Sequence, residues 1–279
     1  MNLPIFGSNM ISEDLSKTFV DSCLFNSQFL KREVTIDFYF PPGLSIGSGQ
    51  VNLLLINDGQ DLVTMDFHGI LDRLYSEEKL LPILCVGIHC GPDRRNEYGT
   101  TDVLDFMGRG AKANLYTQFI FEELFPLIYK ESKITSFKEQ AFCGFSLGGL
   151  SALDIVWGNA AHFNKVGVFS GSLWWRTVDQ EELHFNEEGH RIMHNKVREG
   201  DFVPWLRFFF ETGILDEVAD RNNNGIIDSI DDTVSLIDEL KKKGYKENDI
   251  RYLELSDGGH NVATWARALP EFLKWGWGI

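Results

Sequence analysis

The chain has 279 residues, 41 of them acidic and 26 basic, so its formal net charge is −15. This balance leaves no large basic surface, so we expect neither a nucleic-acid partner nor attachment to anionic membranes. Hydrophobic residues make up 43% of the chain, which predicts a folded protein. Residues 1–8 show no signal-peptide pattern, and no apolar stretch is long enough to cross a bilayer. A cytoplasmic protein is therefore expected, although a secreted protein whose signal had been removed would look the same.

Seven short apolar runs have the composition of buried strands, namely 34–40, 51–56, 83–88, 141–144, 166–171, 205–210 and 250–255. Between them, apolar residues at helical spacing predict helices over 112–130, 147–157, 229–243 and 262–275. Strands alternating with helices predict an α/β fold, a mostly parallel sheet covered on both faces. We expect a single domain over residues 1–279, with the polar stretch 176–204 as an insertion near the active-site face. The sequence does not predict an oligomeric state.

The strongest motif is the run GFSLGG at residues 144–149, which matches the pattern G-x-S-x-G between a predicted strand and a predicted helix. In that context the turn is too tight for neighbouring side chains, and the serine is exposed at the strand end. Ser146 is therefore the candidate nucleophile. The amide of Leu147, at the start of the helix, is a candidate donor to an oxyanion.

A serine nucleophile requires a base, and the base requires an acid, in the chain order Ser, Asp or Glu, then His. His260 follows the last predicted strand in a glycine-rich loop and is the candidate base. The acid should follow the preceding strand, where Asp216 and Glu217 are neighbours. We favour Asp216 and keep Glu217 as the alternative. Strand geometry decides which of them faces His260, and the sequence does not settle the choice.

The second oxyanion donor is expected in the loop after the strand that ends at Ile56. This loop reads NDGQD over residues 57–61. Gly59 permits close approach of the backbone, and the N–H of Gln60 is the preferred donor. The alternative is a plain turn at the end of a strand.

Four runs occur in the same order as in the Putative esterase (esterase-D-like) family of α/β-hydrolases, namely INDGQD at 56–61, GFSLGG at 144–149, FSGSLWW at 169–175 and GGH at 258–260. The chain resembles this family over residues 33–277. The family includes enterochelin, feruloyl and acetyl-xylan esterases, S-formylglutathione hydrolases and mycolyltransferases. The resemblance implies an α/β-hydrolase fold and carboxylic ester hydrolysis by Ser146, His260 and Asp216, without an organic cofactor.

Two further groups of residues are candidates for the substrate pocket. The turn over residues 144–149 that carries Ser146 is the nucleophile elbow. Trp174 and Trp175 follow the strand after this elbow, where they either form a wall of the pocket or simply pack. Arg94 and Arg95 follow the strand ending near His89 and either bind a polar or acidic group of the substrate or lie in a solvated loop.

Residues 220–231 read DRNNNGIIDSID, which has the spacing of a calcium-binding loop. Oxygen-bearing side chains occupy loop positions 1, 3, 5, 9 and 12, and glycine occupies position 6, where such loops turn sharply. The candidate ligands are Asp220, Asn222, Asn224, Asp228 and Asp231 by side chain, and Ile226 by its carbonyl. A structural Ca²⁺ is therefore predicted, against the alternative of a solvated acidic turn. Residues 211–239 contain nine acidic residues and one basic residue, a net charge of −8, which further suggests a bound cation.

Three histidines lie close together in the chain, at His184, His190 and His194. His190 and His194 have the spacing of one helical turn, but the glutamate of a zinc-protease motif is absent. We therefore expect a polar surface helix and no transition-metal site.

The main functional prediction is a serine esterase acting on a small-molecule or carbohydrate-linked ester. One alternative is an acyltransferase that passes the acyl group to a sugar or alcohol. Another, of a different class, is a ligand-binding relative that has lost catalysis, which is disfavoured by the three triad residue types in order.

Overall fold

The computed structural model describes residues 16–44 and 51–279. Within these ranges eight strands form one sheet in the order β1-β2-β4-β3-β5-β6-β7-β8. The strands are β1 Phe19–Ser27, β2 Arg32–Phe40, β3 Asn52–Asn57, β4 Ile83–Ile88, β5 Gln140–Phe145, β6 Lys165–Phe169, β7 Arg207–Leu215 and β8 Ile250–Gly259. The pairs β1–β2 and β2–β4 are antiparallel. All other pairs are parallel, so the carboxyl ends of six strands meet at one edge.

The helices of the described residues are α1 Phe67–Ser76, α2 Arg94–Glu97, α3 Ala113–Gln118, α4 Phe125–Ser132, α5 Leu147–Gly158, α6 Glu187–His190, α7 Ile192–Glu199, α8 Asp228–Lys243 and α9 Val262–Trp277. A wider turn at Phe119–Leu124 joins α3 to α4, so the predicted helix over 112–130 is present with a local irregularity. No helix in the described part of the chain is long and apolar enough to cross a membrane. The segment 1–8, considered above for a signal peptide, lies outside the described residues.

Two apolar cores lie on opposite faces of the sheet. One contains apolar side chains of α3, α4, α5, α7 and α8, and the other contains those of α1 and α9. The strands β3 and β4 are buried along their whole length, as continuous apolar runs in a two-sided parallel sheet should be. The α/β prediction, with helices on both faces, is therefore confirmed.

The stretch 176–204 contains no strand beyond a single bridge between Arg176 and Arg191. It forms α6 and α7, and α7 packs on α8 and α5. The four cysteines are free thiols, and Cys85 and Cys143 are buried, as their apolar neighbours predict.

Candidate active site

Ser146 lies in the turn between β5 and α5, with φ 55° and ψ −122°. Residues other than glycine rarely adopt this backbone conformation, and it persists only where the surrounding structure enforces it. Here the N–H of Ser146 donates to the carbonyl of Phe169 at 2.8 Å, and its carbonyl accepts from the N–H of Ser172 at 3.1 Å. The nucleophile candidate is thus fixed at the carboxyl edge of the sheet, between the ends of two neighbouring strands.

His260 follows β8, and its Nε2 lies 2.8 Å from Oγ of Ser146. The two residues are 114 positions apart in the chain, and the parallel strands bring them together. Trp265 of α9 lies edge-on to the imidazole, with ring centres 5.4 Å apart. Partial burial lowers the pKa of His260, the charge of Asp216 raises it, and that of Arg94 lowers it. A lowered pKa keeps the imidazole neutral near pH 7, as a general base requires.

Of the two acid candidates, Asp216 is the one whose charge acts on His260. Burial raises the pKa of Asp216, whereas the polar groups of Gly213 and Ser170 and the charge of His260 lower it. Neither carboxylate oxygen of Asp216 has a hydrogen-bond partner in the described residues, so Asp216 and His260 are neighbours without a hydrogen bond. Burial also raises the pKa of Glu217, but the groups that act on its carboxyl are Ser229, Asp228, Asp232 and Arg221. Glu217 therefore faces away from the imidazole.

The loop after β3 packs against the start of α5. A Cβ on Gly148 would fall 2.4 Å from Oδ2 of Asp58, so the elbow and this loop touch. Leu147 is the first residue of α5, where an amide has no acceptor within its own helix. Gln60 lies in a short 3-10 turn that also contains Gly59. A Cβ on Gly59 would come 2.6 Å from the backbone of Gly87, so this glycine allows the loop to approach β4.

Arg94 is held at the site by a two-pronged ion pair with Asp58, with Nε–Oδ1 and Nη2–Oδ2 distances of 2.7 Å each. Its Nη2 also donates to the carbonyl of Phe145, at 3.3 Å. The guanidinium lies over the ring of Tyr98, and the N–H of Asp58 donates to the hydroxyl of that tyrosine. Arg95 is exposed to solvent. Of the two predicted arginines, Arg94 is the one whose charge reaches His260.

The two tryptophans predicted for the pocket have different environments. Trp175 is 1% exposed and belongs to the core, so its role is packing and it offers no surface to a substrate. Trp174 is partly exposed. Arg109 lies 5.1 Å from the centre of each indole, and Arg176 lies 5.8 Å from that of Trp174. The surface next to the elbow is therefore aromatic and flanked by guanidinium groups.

Three polar residues at the site were not assigned a role from the sequence. Ser172 places its hydroxyl 3.4 Å from that of Ser146. Asp58 holds Arg94, and Glu211 is a buried carboxyl near Asp216. Each lies within a motif or strand already noted, and a glutamate after three phenylalanines in a strand is itself an unusual signal. The residues that these three contact are distant in the chain, and local sequence patterns do not show such contacts.

Four of the six predicted calcium ligands come together. The carboxylate of Asp220 accepts the N–H groups of Asn224 at 3.1 Å and Gly225 at 2.9 Å. The side-chain amides of Asn222 and Asn224 both donate to Oδ2 of Asp231, at 2.8 Å each. The loop therefore folds around a small cluster of oxygen-bearing side chains from positions 1, 3, 5 and 12.

Of the remaining two predicted ligands, Asp228 is engaged outside this cluster. The carboxylate of Asp228 accepts the N–H of Arg221 at 2.9 Å and pairs with its guanidinium at 3.2 Å. Ile226 donates its N–H to the side-chain oxygen of Asn224 at 2.7 Å. In the described part of the chain, no group of three or more His, Cys, Asp or Glu side chains is arranged to hold a metal. Any cation in this loop therefore depends on asparagine oxygens.

The prediction of a polar surface helix is wrong for His194. This side chain is 0% exposed, and its Nε2 contacts the carbonyl of Asp232 at 2.9 Å. The reason is that α7 packs on α8, so one face of a helix with a polar sequence is buried. His190 lies in α6 and accepts the N–H of Asn186 through Nδ1.

The family model named Putative esterase matches residues 27–275. No curated protein is similar enough in sequence to count as a match. Among solved structures, the enterobactin esterase of Shigella flexneri is 21% identical over 91% of this chain, with a TM-score of 0.68. The chain spans 58% of that protein's length.

Two other similar structures match over almost their full length. A ferulic acid esterase is 17% identical, with a TM-score of 0.68, over 92% of this chain and 97% of its own. The siderophore hydrolase EstB from Aspergillus nidulans is 16% identical, with a TM-score of 0.67, over 96% of this chain and 98% of its own. At these identities the likeness establishes the fold, and the family match covers most of the sequence. The chain therefore belongs to the Putative esterase family, and its fold is that of the α/β-hydrolases.

Proposed function

We propose that this protein hydrolyses a small-molecule carboxylic ester through an acyl-enzyme formed on Ser146. The observation that carries the proposal is the 2.8 Å contact between Nε2 of His260 and Oγ of Ser146. Such a contact activates a serine that is otherwise a weak nucleophile. Asp216 serves as the acid, because it is the candidate carboxylate whose charge acts on the imidazole. In this role its carboxylate accepts a hydrogen bond from Nδ1 of His260 and fixes the imidazole tautomer.

In the first half of the reaction, Oγ of Ser146 bonds to the carbonyl carbon of the ester while its proton passes to Nε2 of His260. The imidazolium returns that proton to the leaving alcohol, and the acyl group remains on the serine. In the second half, water attacks the acyl carbon and gives its proton to His260. His260 returns that proton to Oγ of Ser146 as the bond between Oγ and the acyl carbon breaks and the acid leaves, so the enzyme is unchanged.

Negative charge develops on the carbonyl oxygen in both halves. We assign its stabilisation to the N–H groups of Leu147 and Gln60, on the two segments that touch at Gly148 and Asp58. The N-terminus of α5 adds a favourable field at the same point. The aromatic surface at Trp174 and the guanidinium of Arg94 suit an ester with a planar, polar or anionic substituent.

Turnover of p-nitrophenyl acetate tests the proposal most directly. Ser146→Ala and His260→Ala should each lower kcat by at least about 10³-fold, since members of such a triad act as a unit. Ser151→Ala is the matched control, because Ser151 lies in the same helix but is buried, and it should retain activity. Wild-type turnover by Ser146→Ala would show that the nucleophile is wrongly assigned. Mass spectrometry of products formed with an added alcohol would distinguish hydrolysis from acyl transfer.

We also propose that the loop over residues 220–231 binds Ca²⁺ and stiffens the segment after the acid. Support comes from its spacing and from the convergence of Asp220, Asn222, Asn224 and Asp231. Carboxylate and amide oxygens are ligands that Ca²⁺ prefers. Rotation of the two asparagine amides would turn their oxygens toward the ion.

Calorimetric titration of Ca²⁺ into chelator-treated protein should show heat and a rise in melting temperature. Asp231→Asn should abolish both effects. Asp238→Asn, which removes the same charge from an exposed position on α8, should leave them intact. Absence of heat in the wild type, or equal losses in the two variants, would contradict the site.

A further inference from the structure

Glu211 is a buried carboxyl for which the proposed reaction has no role. It lies in β7 opposite Phe169 of β6, and it is 1% exposed. Neither of its carboxyl oxygens has a hydrogen-bond partner in the described part of the chain. Burying a carboxyl without a hydrogen-bond partner costs free energy of folding, so the presence of Glu211 at this position requires an explanation.

The backbone places the carboxyl of Asp216 beside that of Glu211. Side chains at positions 211 and 213 of a strand point to the same face, and position 213 is a glycine. A Cβ on Gly213 would fall 2.9 Å from Oδ1 of Asp216. The carboxylate of Asp216 therefore occupies the space that a side chain at 213 would fill, next to Glu211. Neither oxygen of Asp216 has a hydrogen-bond partner in the described residues either.

The groups around this pair of carboxyls are few. Burial and, to a smaller extent, the charge of Asp216 raise the pKa of Glu211 to about 8. Ser170, at the end of β6, and Arg267 of α9 lower it. The hydroxyl of Ser170 accepts from Nε1 of Trp265 at 2.9 Å and has a single proton to donate, so it can serve at most one of the two carboxyls. Arg267 forms a surface ion pair with Asp257.

Tyr252 of β8 is the remaining titratable neighbour. The charge of Glu211 raises its pKa, but its hydroxyl is 2.6 Å from that of Thr212 and 2.9 Å from a carboxylate oxygen of Glu254. Among the described residues, the surroundings thus contain no cation fully available to the two carboxyls. When two carboxyls lie side by side without a cation, their negative charges repel each other, so one of them keeps its proton.

We propose that Glu211 is a positioning residue for the catalytic acid: in its protonated form it donates a hydrogen bond to the carboxylate of Asp216 and holds that carboxylate toward His260. This inference rests on the proposed triad. It accounts for two acids whose oxygens otherwise lack partners, because one proton satisfies an oxygen of each. It also predicts that the arrangement fails at alkaline pH, when Glu211 ionises and repels Asp216.

The pH dependence of kcat/KM for p-nitrophenyl acetate, in Glu211→Gln and Glu211→Leu, tests the inference. The amide of glutamine can donate the same hydrogen bond but cannot ionise. Glu211→Gln should therefore keep wild-type activity near pH 7 and lack the alkaline decline of the wild type. Glu211→Leu should lower kcat by about 10-fold or more with KM unchanged, because the substrate does not touch this residue.

A wild-type alkaline decline that persists in Glu211→Gln would overturn the inference, as would the absence of any decline in the wild type. Equal activity of the leucine and glutamine variants would do the same. If the leucine variant does not fold, the glutamine profile still decides. Ser146→Ala is assayed in parallel, because its inactivity alongside unaffected Glu211 variants rejects only the positioning role. Activity in Ser146→Ala rejects the triad itself.

Discussion

The ion pair between Arg94 and Asp58 offers a sharp test of how the site is built. Asp58 is 1% exposed, and both of its carboxylate oxygens contact the guanidinium at 2.7 Å. Arg94→Met keeps the length of the side chain and removes its charge. The variant therefore leaves the carboxyl of Asp58 buried beside the elbow without its cation. Asp58→Asn removes the other charge, and the double variant, which combines it with Arg94→Met, removes both charges together.

Breaking a buried ion pair by removing one partner costs about 3–5 kcal/mol, whereas removing both charges costs much less. We therefore expect Arg94→Met alone to lower the free energy of unfolding by about 3 kcal/mol or more. The double variant should recover about 2 kcal/mol of that loss, a coupling energy typical of residues in direct contact. Arg95→Met is the matched control. It is exposed, and its effect should stay within about 0.5 kcal/mol.

Urea unfolding followed by tryptophan fluorescence measures these differences, provided that the slope of the transition is the same in all four variants. A cost below about 1 kcal/mol for Arg94→Met would show that the pair behaves like an exposed surface ion pair. A coupling energy near zero would show that the two residues do not stabilise each other, and it would refute the role given to Asp58.

The same substitution should alter the pH dependence of catalysis. Arg94 lowers the pKa of His260, so its removal raises that pKa. More of the imidazole is then protonated at a given acidic pH, and the acid limb of kcat/KM must move to higher pH. A shift to lower pH, or none in a folded variant, would mean that the guanidinium does not act on the base.

Three further predictions follow from the neighbourhood of the triad and from the buried histidine. Gly213→Ala places a Cβ 2.9 Å from Oδ1 of Asp216 and 2.3 Å from the backbone of Gly258; steady-state kinetics of the folded variant should show kcat lowered by about 10²-fold. Asp216→Asn should lower kcat by about 10⁴-fold, because it favours the wrong imidazole tautomer, and a near-wild-type kcat would point to another acid. Burial lowers the pKa of His194 well below its usual range, so the native state binds fewer protons than the unfolded one below about pH 6.5. The free energy of unfolding should therefore fall as pH drops below that value, and less steeply in His194→Gln. Identical slopes would contradict a buried neutral histidine.

The central strands could be predicted from the sequence because β3, β4 and β5 are continuous apolar runs that need no partner to be recognised. The strand β1, Phe19–Ser27, was not predicted. It lies at the edge of the sheet, its side chains alternate between exposed and half-buried, and it contains Asp, Ser and Asn, which are uncommon or weak strand formers. The helix α1 was also missed, since a glycine interrupts its ten residues.

The nucleophile and the base could be proposed from the sequence because each lies in a local glycine-rich motif beside a strand. The choice between Asp216 and Glu217 could not, because it depends on a turn in which the N–H of Asp216 donates to the carbonyl of Gly213. That turn directs one carboxyl toward His260 and leaves its neighbour near α8. A shift of one residue in this turn would exchange the side chain that faces the site. A regular hydrophobic pattern carries no information about such a shift.

The negative charge of residues 211–239 is compensated in several ways, and a bound cation would be only one of them. Asp228 and Asp232 pair with Arg221, and Asp232 also pairs with Arg191, so part of the charge is neutralised within the protein. The carboxyl oxygens of Glu211 and Asp216 are buried, and in the arrangement proposed above a retained proton does the same.

Asp220 and Asp231 differ from these pairs, because their recorded contacts in the described residues are with N–H and amide groups of their own loop. Such groups stabilise a carboxylate but do not cancel its charge. This loop is therefore where a divalent cation would relieve the most repulsion. The calcium titration and the pH profile of Glu211→Gln test two different ways of compensating this negative charge, on either side of the proposed acid, Asp216, along the chain.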